Sequence, residues 1–406
     1  MTERKYSNDY VQDILRIISS EHTLEEKTNL LDEYHDKDIA EAFESFGHTV
    51  EYYEEMPDER KGTDIRRLKE VVAEYDLVFS ANYFSRVSNA CQAQQKKYIA
   101  WTVDSPMLTM FDTSVFNECN YIFLFDKFDY YRFLQMGVKH VYYLPLAVNA
   151  ERVKNCIEAA SEKEKGKYRG DISFVGGLYY KNSYDAIEDK LPEYLQGYFD
   201  ACMEAQLDLY GDNVFDRLLT ADILERLCEI IDFHQSDTAF SDIRLVFSST
   251  YLGFKTAQKE RIRNLNALAS RFEVNLYTDR TDDRLRGVHV KESVDYREEM
   301  PLVFHESDIN MNFTIRNIRT GLPLRIWDIL GAGGFLLTNY QIELGDFFEN
   351  GKDLVYYDSL DDMMRKAEYY LDHEDERKTI AQNGLKKIVQ YHTYEHRIDV
   401  ILKTVL

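Results

Sequence analysis

Three arginines, a glycine and a carboxylate lie close together near the start of a short apolar segment late in the chain. The stretch "NMNFTIRNIRTGLPLRIWDILGAGGFLLTN" (310–339) contains Arg316, Arg319, Gly321, Pro323, Arg325 and Asp328. Pro323 suits the first turn of a helix, because the N–H that proline lacks would have no partner there. A helix start carries free backbone N–H groups and a partial positive charge. Arginines beside that start predict a site for a phosphate or diphosphate.

Asp328 adds a second chemical signal to this stretch. It lies in the apolar run "LRIWDIL", where a carboxylate could accept both hydroxyls of a ribose. Arg325, three residues earlier, shares its helix face and could pair with Asp328 or reach the phosphates. Gly321 permits a close backbone approach before the helix. The stretch predicts a nucleoside diphosphate site, to which we assign the flanking Asn312 and Leu322; an ordinary Arg325–Asp328 pair and a solvated arginine loop are the alternatives.

Polar side chains also end two predicted strands in the first third of the chain. Asn82 and Tyr83 end "DLVFSANY", and Asp104 ends "YIAWTVD". Because ligands bind at the carboxyl ends of strands in open α/β sheets, these side chains could bind the hydroxyls of a second substrate. Asp104 is also a candidate general base. The alternatives are strand-end packing for Asn82 and Tyr83, and a turn residue before Ser105-Pro106 for Asp104.

The composition limits the class of protein. A length of 406 residues favours two domains, and the formal net charge of −23, without a dense Lys/Arg stripe, argues against nucleic-acid binding. No apolar run approaches the ~20 residues that span a bilayer, and the polar start lacks a signal-peptide core, so we expect a cytoplasmic protein without a membrane span. The five cysteines are scattered, which favours reduced thiols. No G-x-G-x-x-G follows a first strand, so we expect no nicotinamide or flavin cofactor.

Strand and helix patterns alternate along the chain, which predicts two α/β domains with parallel sheets. In the first domain (1–150) the predicted strands are 28–34, 49–55, 76–83, 97–104, 121–126 and 140–148, with a helix from about 36 to 46. Residues 151–170 are predicted to be a charged interdomain linker. In the second domain (171–384) the predicted strands are 171–177, 273–279, 287–292, 308–314, 335–339 and 353–359.

A long helical region, residues 184–270, interrupts the second domain, and terminal helices follow its last strand. We expect residues 385–406 to pack back toward the first domain. Nothing in the sheets requires so many helices, so the region could serve acceptor selectivity or homodimer contacts. "DSLDD" (358–362) is expected to start a helix and not to form a metal-binding D-x-D. Two domains joined by a linker would place both sets of strand ends around one cleft.

The late stretch, with "DINMNFT" (308–314) before it and "DLVYYDS" (353–359) after it, resembles the C-terminal domain of the CgeB-like, spore-maturation-type glycosyltransferases. These are relatives of glycosyltransferase family 4 with a GT-B fold. "DISFVGGLYYKN" looks like the first strand and glycine loop of that domain, and "AWTVDSP" and "VYYLPLAVN" are similar to its N-terminal companion. The resemblance covers nearly the whole chain, and it implies two Rossmann-like domains that face each other across a cleft.

The resemblance also implies roles for individual residues. Asp328 matches the carboxylate that binds the donor ribose, and Arg316 and Arg325 match basic positions near the diphosphate that would take part in catalysis. Gly176 and Gly177 match the glycine loop facing the donor, and Lys181 stands where relatives often carry Arg. One position departs from the family 4 pattern: the Glu expected eight residues before the ribose carboxylate is Thr320 here.

We therefore expect a hexosyltransferase that moves a sugar from a nucleotide-sugar to a protein or surface-glycan acceptor without a metal. If configuration is retained, as the resemblance implies, the diphosphate itself would take the acceptor proton; if it is inverted, Asp104 is the candidate base. A sugar-nucleotide epimerase or hydrolase, and a non-catalytic nucleotide-sugar-binding assembly protein, are the alternatives. His392 and His396 have a zinc-like spacing but no evident third ligand, so surface histidines are the simpler interpretation.

Overall fold

The structure, a computed structural model, describes residues 14–19, 34–53, 65–180, 182–231 and 237–406. Two six-stranded sheets form its framework, and helices cover them. The predicted α/β class is confirmed. Strands such as β3 (Leu77–Ala81) are buried at every position, as expected for a sheet with helices on both faces.

The first sheet has the strand order β2-β1-β3-β4-β5-β6. Its other strands are β1 (Ile14–Ser19), β2 (His48–Tyr53), β4 (Lys97–Trp101), β5 (Asn120–Leu124) and β6 (Val141–Tyr143). Strands β3 to β6 are parallel, as predicted, but β1 is antiparallel to both of its neighbours, so the expectation of a wholly parallel sheet is wrong there. Of the predicted strand 28–34, residues 28–33 lie outside the described residues, and Tyr34 begins a helix.

Helices connect these strands. They are α1 (Tyr34–Ser45), α2 (Ile65–Ala73), α3 (Ser85–Gln94), α4 (Lys127–Gln135), α5 (Ala150–Ala159) and α6 (Glu162–Lys165). The predicted helix 36–46 is confirmed as α1, and Gly47 follows it with φ of +86°, a conformation that glycine adopts without steric cost. Asp126 caps α4 by accepting the N–H of Phe128 at 2.9 Å. Residues 151–170 join the two sheets through α5 and α6, so this connection is helical and not an extended linker.

The second sheet is parallel throughout, with the order β12-β11-β10-β7-β8-β9. Its strands are β7 (Gly170–Val175), β8 (Val274–Tyr277), β9 (His289–Lys291), β10 (Ser307–Asn312), β11 (Leu336–Asn339) and β12 (Val355–Tyr357). All six overlap the strands predicted from the sequence. The helices among them are α12 (Met300–Glu306), α13 (Leu324–Gly331) and α14 (Leu344–Phe347). Pro323 is the N-cap of α13, one position earlier than predicted.

A helical region lies between β7 and β8, as predicted. It comprises α7 (Glu193–Leu207), α8 (Phe215–Leu218), α9 (Ala221–Ile230), α10 (Ile243–Val246), a π-helical segment (Phe247–Gly253) and α11 (Phe254–Ala269). Its far end reaches the first sheet's domain: the N–H of Phe240 donates to the carbonyl of Phe111 at 2.8 Å, and the N–H of Thr113 donates to the carbonyl of Thr238 at 3.0 Å. The rings of Phe111 and Phe240 lie 5.8 Å apart. The helical region therefore contacts both domains.

Three helices end the chain: α15 (Leu360–Asp372), α16 (Glu374–Tyr391) and α17 (Tyr394–Val405). Ser359 caps α15 by accepting the N–H of Asp362 at 3.2 Å, which confirms that "DSLDD" begins a helix. The last helix lies against the first sheet and α1. Lys97 Nζ donates to the carbonyl of Val405 at 2.6 Å, and the rings of Trp101 and Tyr394 are 6.0 Å apart. The chain thus crosses between the two sheets a second time near its end.

Candidate active site

The carboxyl ends of the two sheets meet at a contact that we call the interdomain seam, formed by Asp126, Lys127 and Tyr143 on one side and Thr320, Gly321 and Glu343 on the other. Thr320 Oγ1 lies 2.6 Å from Asp126 Oδ1 and 2.6 Å from Glu343 Oε1. Tyr143 donates its hydroxyl to Glu343 Oε2 at 2.5 Å. Because ligands of open α/β sheets bind at carboxyl ends, the candidate site lies beside this seam.

The glycine loop of the second sheet is in the predicted place. Gly176 and Gly177 follow β7; Gly177 is exposed, and a side chain built there would meet open space. Arg261 of α11 donates from Nη1 to the carbonyl of Gly177 at 2.5 Å and from Nη2 to the carbonyl of Phe313 at 3.3 Å. Among the described residues its Nε has no hydrogen-bond partner. The guanidinium also stacks on the rings of Phe174 and Tyr179, 5.1 and 4.5 Å from their centres, and no carboxylate among the described residues pairs with it.

Arg325 and Asp328 project from the first two turns of α13. Arg325 Nη1 lies 3.5 Å from Asp328 Oδ2, and its guanidinium stacks 5.3 Å from the ring centre of Phe304 and touches Met300. Tyr296 donates its hydroxyl to Asp328 Oδ1 at 2.9 Å. Burial raises the pKa of Asp328 to about 6, although the charge of Arg325 opposes the shift. The sequence prediction of an Arg325–Asp328 pair is thus met, with a tyrosine as a third member.

Arg325 lies near a second positive charge as well as near the carboxylate of Asp328. Burial lowers the pKa of Arg325, and the nearby charge of Arg261 lowers it further, while Asp328 raises it. Two guanidinium groups therefore repel each other beside the glycine loop and the start of α13. The side chain of Arg325 is 24% exposed, so the pair can be reached from solvent. An anion bound between them would relieve that repulsion.

The other two predicted arginines have different surroundings. Arg316 is buried, donates from Nη2 to Glu260 Oε1 at 2.9 Å, and stacks 4.4 Å from the ring centre of Tyr210. Arg319 donates from Nη1 to Asp216 Oδ2 at 2.7 Å and stacks on Phe128 at 4.5 Å. Both guanidinium groups bind the helical region in place of facing the start of α13. The expected loop of donor-binding arginines is therefore corrected, because these charges are already paired within the protein.

The remaining predicted donor residues have structural contacts. Asn312 is buried and donates from Nδ2 to Thr314 Oγ1 and Thr338 Oγ1, both at 2.9 Å. Leu322 is buried, and a Cβ built on Gly321 would lie 2.8 Å from the carbonyl oxygen of Phe125. Gly321 is thus needed for close contact between the domains. Lys181 lies outside the described residues.

On the first-sheet side, Asp104 is exposed and Asn82 is buried beneath it. Asn82 Nδ2 donates to Asp104 Oδ2 at 2.9 Å. The protein surrounding Asp104 raises its pKa, and the hydrogen bond from Asn82 partly offsets this. Tyr83 is fully buried and donates its hydroxyl to Ser114 Oγ at 2.8 Å, so the expectation that it faces the cleft is wrong. Strand-end packing, the alternative, describes Tyr83.

Sequence reasoning missed Arg261, Tyr296 and Glu343. Arg261 lies in a long amphipathic helix far from any glycine motif, and Glu343 follows β11 by four residues, so neither carried a local signal. Tyr296 stands in "VDYREEM", just before α12, and its proximity to Asp328 depends on tertiary structure. The sequence marked Thr320 as an unusual residue, but it could not predict the contacts of Thr320 with Asp126 and Glu343, because these two residues come from distant segments.

No group of three or more His, Cys, Asp or Glu side chains that could hold a metal occurs among the described residues. His392 packs 5.1 Å from the Trp327 ring and lies within 2.9 Å of Arg397 Nη2, and burial lowers its pKa to about 3. His396 binds Thr393 at the start of α17. His392 is therefore a buried packing residue, which corrects the expectation of a surface position. In the described part of the chain, no helix has the length and apolar character needed to cross a membrane.

Comparison with known proteins agrees with this architecture. Residues 258–403 match the protein family described as glycosyl transferase-like, a span of less than half the chain. A glycosyltransferase from Rickettsia africae shares the fold with a TM-score of 0.50 and 11% identity, over 91% of this chain and 92% of that one. No curated protein sequence matches the chain.

Two further crystal structures resemble the protein less closely. The Anabaena protein HepE in complex with UDP-glucose has a TM-score of 0.49 at 9% identity, over 84% of this chain and 82% of that one. A UDP-forming trehalose-phosphate synthase from Burkholderia xenovorans has a TM-score of 0.45 at 13% identity, over 86% of this chain and 79% of that one. The chain is an α/β protein of GT-B architecture whose C-terminal part matches the glycosyl transferase-like family.

Proposed function

We propose that the protein is a hexosyltransferase that moves a sugar from a nucleoside-diphosphate sugar to a hydroxyl of a protein or surface glycan in the cytoplasm. The observation that carries the proposal is Arg261, whose Nη1 donates at 2.5 Å to the carbonyl of the exposed Gly177 and which forms no ion pair among the described residues. An arginine without a carboxylate partner beside a glycine loop, with a second arginine, Arg325, in the first turn of α13, suits a diphosphate. The match of residues 258–403 to the glycosyl transferase-like family supports this chemistry.

The nucleoside would bind at Asp328, on the face of α13 that also carries Arg325. Asp328 offers a carboxylate held by the hydroxyl of Tyr296, and a carboxylate can accept hydrogen bonds from both ribose hydroxyls. Arg325 Nη1 lies 3.5 Å from this carboxylate, so a diphosphate bound next to the ribose would be within reach of Arg325. This assignment keeps Asp328, Arg325, Gly176 and Gly177 as donor residues and adds Arg261.

Sugar transfer requires stabilisation of the departing diphosphate, and the two guanidinium groups and the N–H groups at the start of α13 would supply it. We propose that the reaction needs no metal, because these groups can balance the developing charge. We further propose retention, in which an oxygen of the diphosphate takes the proton of the acceptor hydroxyl. NMR assignment of the product's anomeric configuration tests this, and an inverted product would instead require a protein base.

A thermal-shift experiment tests the donor site, because a ligand that binds the folded protein raises its melting temperature. UDP-, GDP- and dTDP-sugars carry a diphosphate, whereas CMP-sugars carry one phosphate and serve as the control. At least one of the first three should raise the melting temperature, and Arg261→Ala, Arg325→Ala and Asp328→Asn should each abolish that shift. Asp129→Asn, a change at another buried carboxylate whose pKa is raised to about 6, is the matched control.

Product analysis separates transfer from the alternative activities. An epimerase would convert the nucleotide-sugar alone, a hydrolase would release free sugar at full rate without an acceptor, and a binding protein would release no nucleotide. Nucleotide release that rises when a glycan or peptide acceptor is added would support the transferase. A thermal shift equally strong in Arg261→Ala and wild type would mean that the diphosphate site lies elsewhere.

A further inference from the structure

Asn82 has an unusual backbone conformation at the end of β3. It is buried and adopts φ of +67°, in the left-handed region that non-glycine residues rarely occupy. Asparagine tolerates this region better than most residues, but the conformation still persists only where surrounding contacts enforce it. Such residues concentrate at functional sites, so the contacts of Asn82 indicate what the conformation achieves.

The side chain of Asn82 is directed entirely at the segment that follows β4. Its Oδ1 accepts the N–H of Val103 at 2.9 Å and the N–H of Asp104 at 3.1 Å. Its Nδ2 donates to Asp104 Oδ2 at 2.9 Å. The amide thus fixes both the backbone and the carboxylate of Asp104. An acceptor hydroxyl would find this amide already occupied, which corrects the expectation that Asn82 binds the acceptor itself.

Asp104 is placed to meet a ligand. Its side chain is exposed although the residue that holds it is buried, and among the described residues Oδ1 receives no hydrogen bond. The neighbouring acids, Asp126 and Asp129 at the start of α4, bind the hydroxyl of Ser105 in place of Asp104. One carboxylate oxygen is therefore fixed and the other is available at the carboxyl edge of the first sheet, next to the seam.

We propose that Asn82 is a positioning residue that holds the Asp104 carboxylate for the attacking hydroxyl of the acceptor. This inference rests on the proposed transferase function. The carboxylate would accept a hydrogen bond from the hydroxyl and orient its oxygen toward the anomeric carbon. The new bond joins that oxygen to the anomeric carbon, and the bond to the diphosphate breaks with its electron pair. In a retaining reaction the hydroxyl proton passes to the departing diphosphate, so Asp104 stays ionised.

Asn82→Asp is the most informative variant. It keeps an oxygen for the N–H groups of Val103 and Asp104 but replaces the donor with a second carboxylate, which should raise the pKa of Asp104. Asp104→Asn removes the charge, and Asn82→Gly tolerates the positive φ while deleting the amide. The measurement is the rate of nucleoside diphosphate release from UDP-, GDP- and dTDP-glucose, with water as acceptor, between pH 5 and 9.

For Asp104→Asn we expect a loss in kcat of roughly tenfold or more, the effect of one charge-assisted hydrogen bond, with KM for the nucleotide-sugar unchanged. Asn82→Asp should move the acid limb of the pH profile upward by about one unit. Asn82→Gly should lower kcat and move the acid limb upward by a smaller amount, because it removes the hydrogen bond that lowers the pKa of Asp104 without adding a negative charge. An unshifted acid limb in a folded Asn82→Asp variant, or full activity in Asp104→Asn, would overturn the inference while leaving the donor site intact. If Asn82→Asp does not fold, the kcat of the other two variants decides.

A different result would contradict the proposed function itself. Wild-type protein that neither binds nor turns over any of the three nucleotide-sugars would contradict the transferase assignment itself. If the variants at Asn82 and Asp104 bind the nucleotide-sugar as wild type does but show the predicted loss in kcat, the transferase function and the positioning role of Asn82 are both supported. The two ideas are therefore distinguished by donor binding, which depends on the second domain, and by turnover, which depends on the first.

Discussion

Thr320 bonds to Asp126 across the interdomain seam, with its Oγ1 2.6 Å from Asp126 Oδ1. The same hydroxyl is 2.6 Å from Glu343 Oε1. A hydroxyl carries one proton, so Thr320 can donate to only one of these carboxyl groups at a time. Burial raises the pKa of Glu343, and the hydrogen bonds from Thr320, Tyr143 and the N–H of Lys127 oppose that shift. Thr320 is thus a link between the two domains.

Thr320→Val should weaken that link. The change keeps the shape of the side chain but leaves two carboxyl groups without their shared hydroxyl, and we expect a loss of about 1–3 kcal/mol in the free energy of unfolding. Urea unfolding measures the loss, and small-angle scattering would show whether the domains separate. Thr320→Ser keeps the hydroxyl and should lose much less. Equal stability of the Val and Ser variants would show that the link contributes little.

Gly321→Ala should disturb the seam by a different route. The new Cβ would lie 2.8 Å from the Phe125 carbonyl oxygen and 2.9 Å from Asp126 Cα, both backbone atoms that cannot move aside easily. We expect destabilisation of about 1–3 kcal/mol, the usual effect of forced overpacking. Gly345→Ala is the matched control, because nothing lies within 4 Å of its added Cβ. A similar melting temperature for both variants would contradict the prediction.

Arg316→Met should separate structural arginines from donor-binding ones. It leaves Glu260 buried and unpaired, so we expect destabilisation of about 3–5 kcal/mol. The double variant Arg316→Met with Glu260→Met should recover much of that loss. Arg325→Ala and Arg261→Ala, in contrast, should abolish the nucleotide-sugar thermal shift. Chemical unfolding measures the stability of Arg316→Met, and the thermal shift measures its binding of a nucleotide-sugar. A variant that is as stable as wild type but does not bind the nucleotide-sugar would place Arg316 in the donor site.

Asp129 predicts a particular dependence of stability on pH. Burial raises its pKa from 3.8 to about 6, and the charge of Asp126 adds to the shift. The Asp129 carboxyl binds its proton more tightly in the folded protein than in the unfolded chain. Its contribution to the free energy of unfolding is therefore complete below about pH 4, and it is lost at about 1.4 kcal/mol per pH unit as pH rises through about 6. Asp129→Asn should therefore be more stable relative to wild type at pH 7 than at pH 4.5. Urea unfolding at both values checks this, and an identical difference at both would refute it.

Asp328 should make donor binding depend on pH in the opposite direction. Its pKa is raised to about 6 by burial, so the carboxylate that would accept the ribose hydroxyls becomes protonated as pH falls. Affinity for a nucleotide-sugar should fall by up to about tenfold per pH unit below pH 6. Asp328→Asn should bind weakly at every pH. Calorimetry at pH 5, 6 and 7 measures this, and a pH-independent affinity in wild type would exclude Asp328 from the ribose site.

The positions of the strands follow from patterns that are local in sequence. The buried run of β3 and the turn glycine after α1 are visible in any window of about ten residues, which is why nearly every described strand was predicted. The antiparallel β1 was not, since its pairing with β2 and β3 depends on contacts between residues that are 29 or more positions apart. The "DIRLVFSS" segment (242–249) has strand-like composition, yet it forms α10 and a π-helical turn, because Ile243 and Phe247 pack inside the helical region while Leu245 packs into the core of the first domain.

The side chains of the candidate site were likewise predictable only where their contacts are local in sequence. Asp328 and Arg325 share one helix face, so their spacing alone places them together. Arg316 and Arg319 lie in a loop, and nothing in their spacing reveals that Glu260 and Asp216 of the helical region neutralise them. Arg261 was missed for the converse reason, since its neighbours at the glycine loop are backbone carbonyls. A charged residue's role is decided by which partners tertiary structure supplies.

The hydrogen bonds from Phe240 to Phe111 and from Thr113 to Thr238 limit how the molecule can move. A segment that belongs to the second half of the chain is fastened there to the first half, so the halves cannot draw straight apart without breaking it. If the two domains rotate relative to each other, these hydrogen bonds would act as the pivot, and the cleft between the domains would widen on the side away from them. If the protein is the proposed transferase, its substrates would enter and its products leave on that side of the cleft.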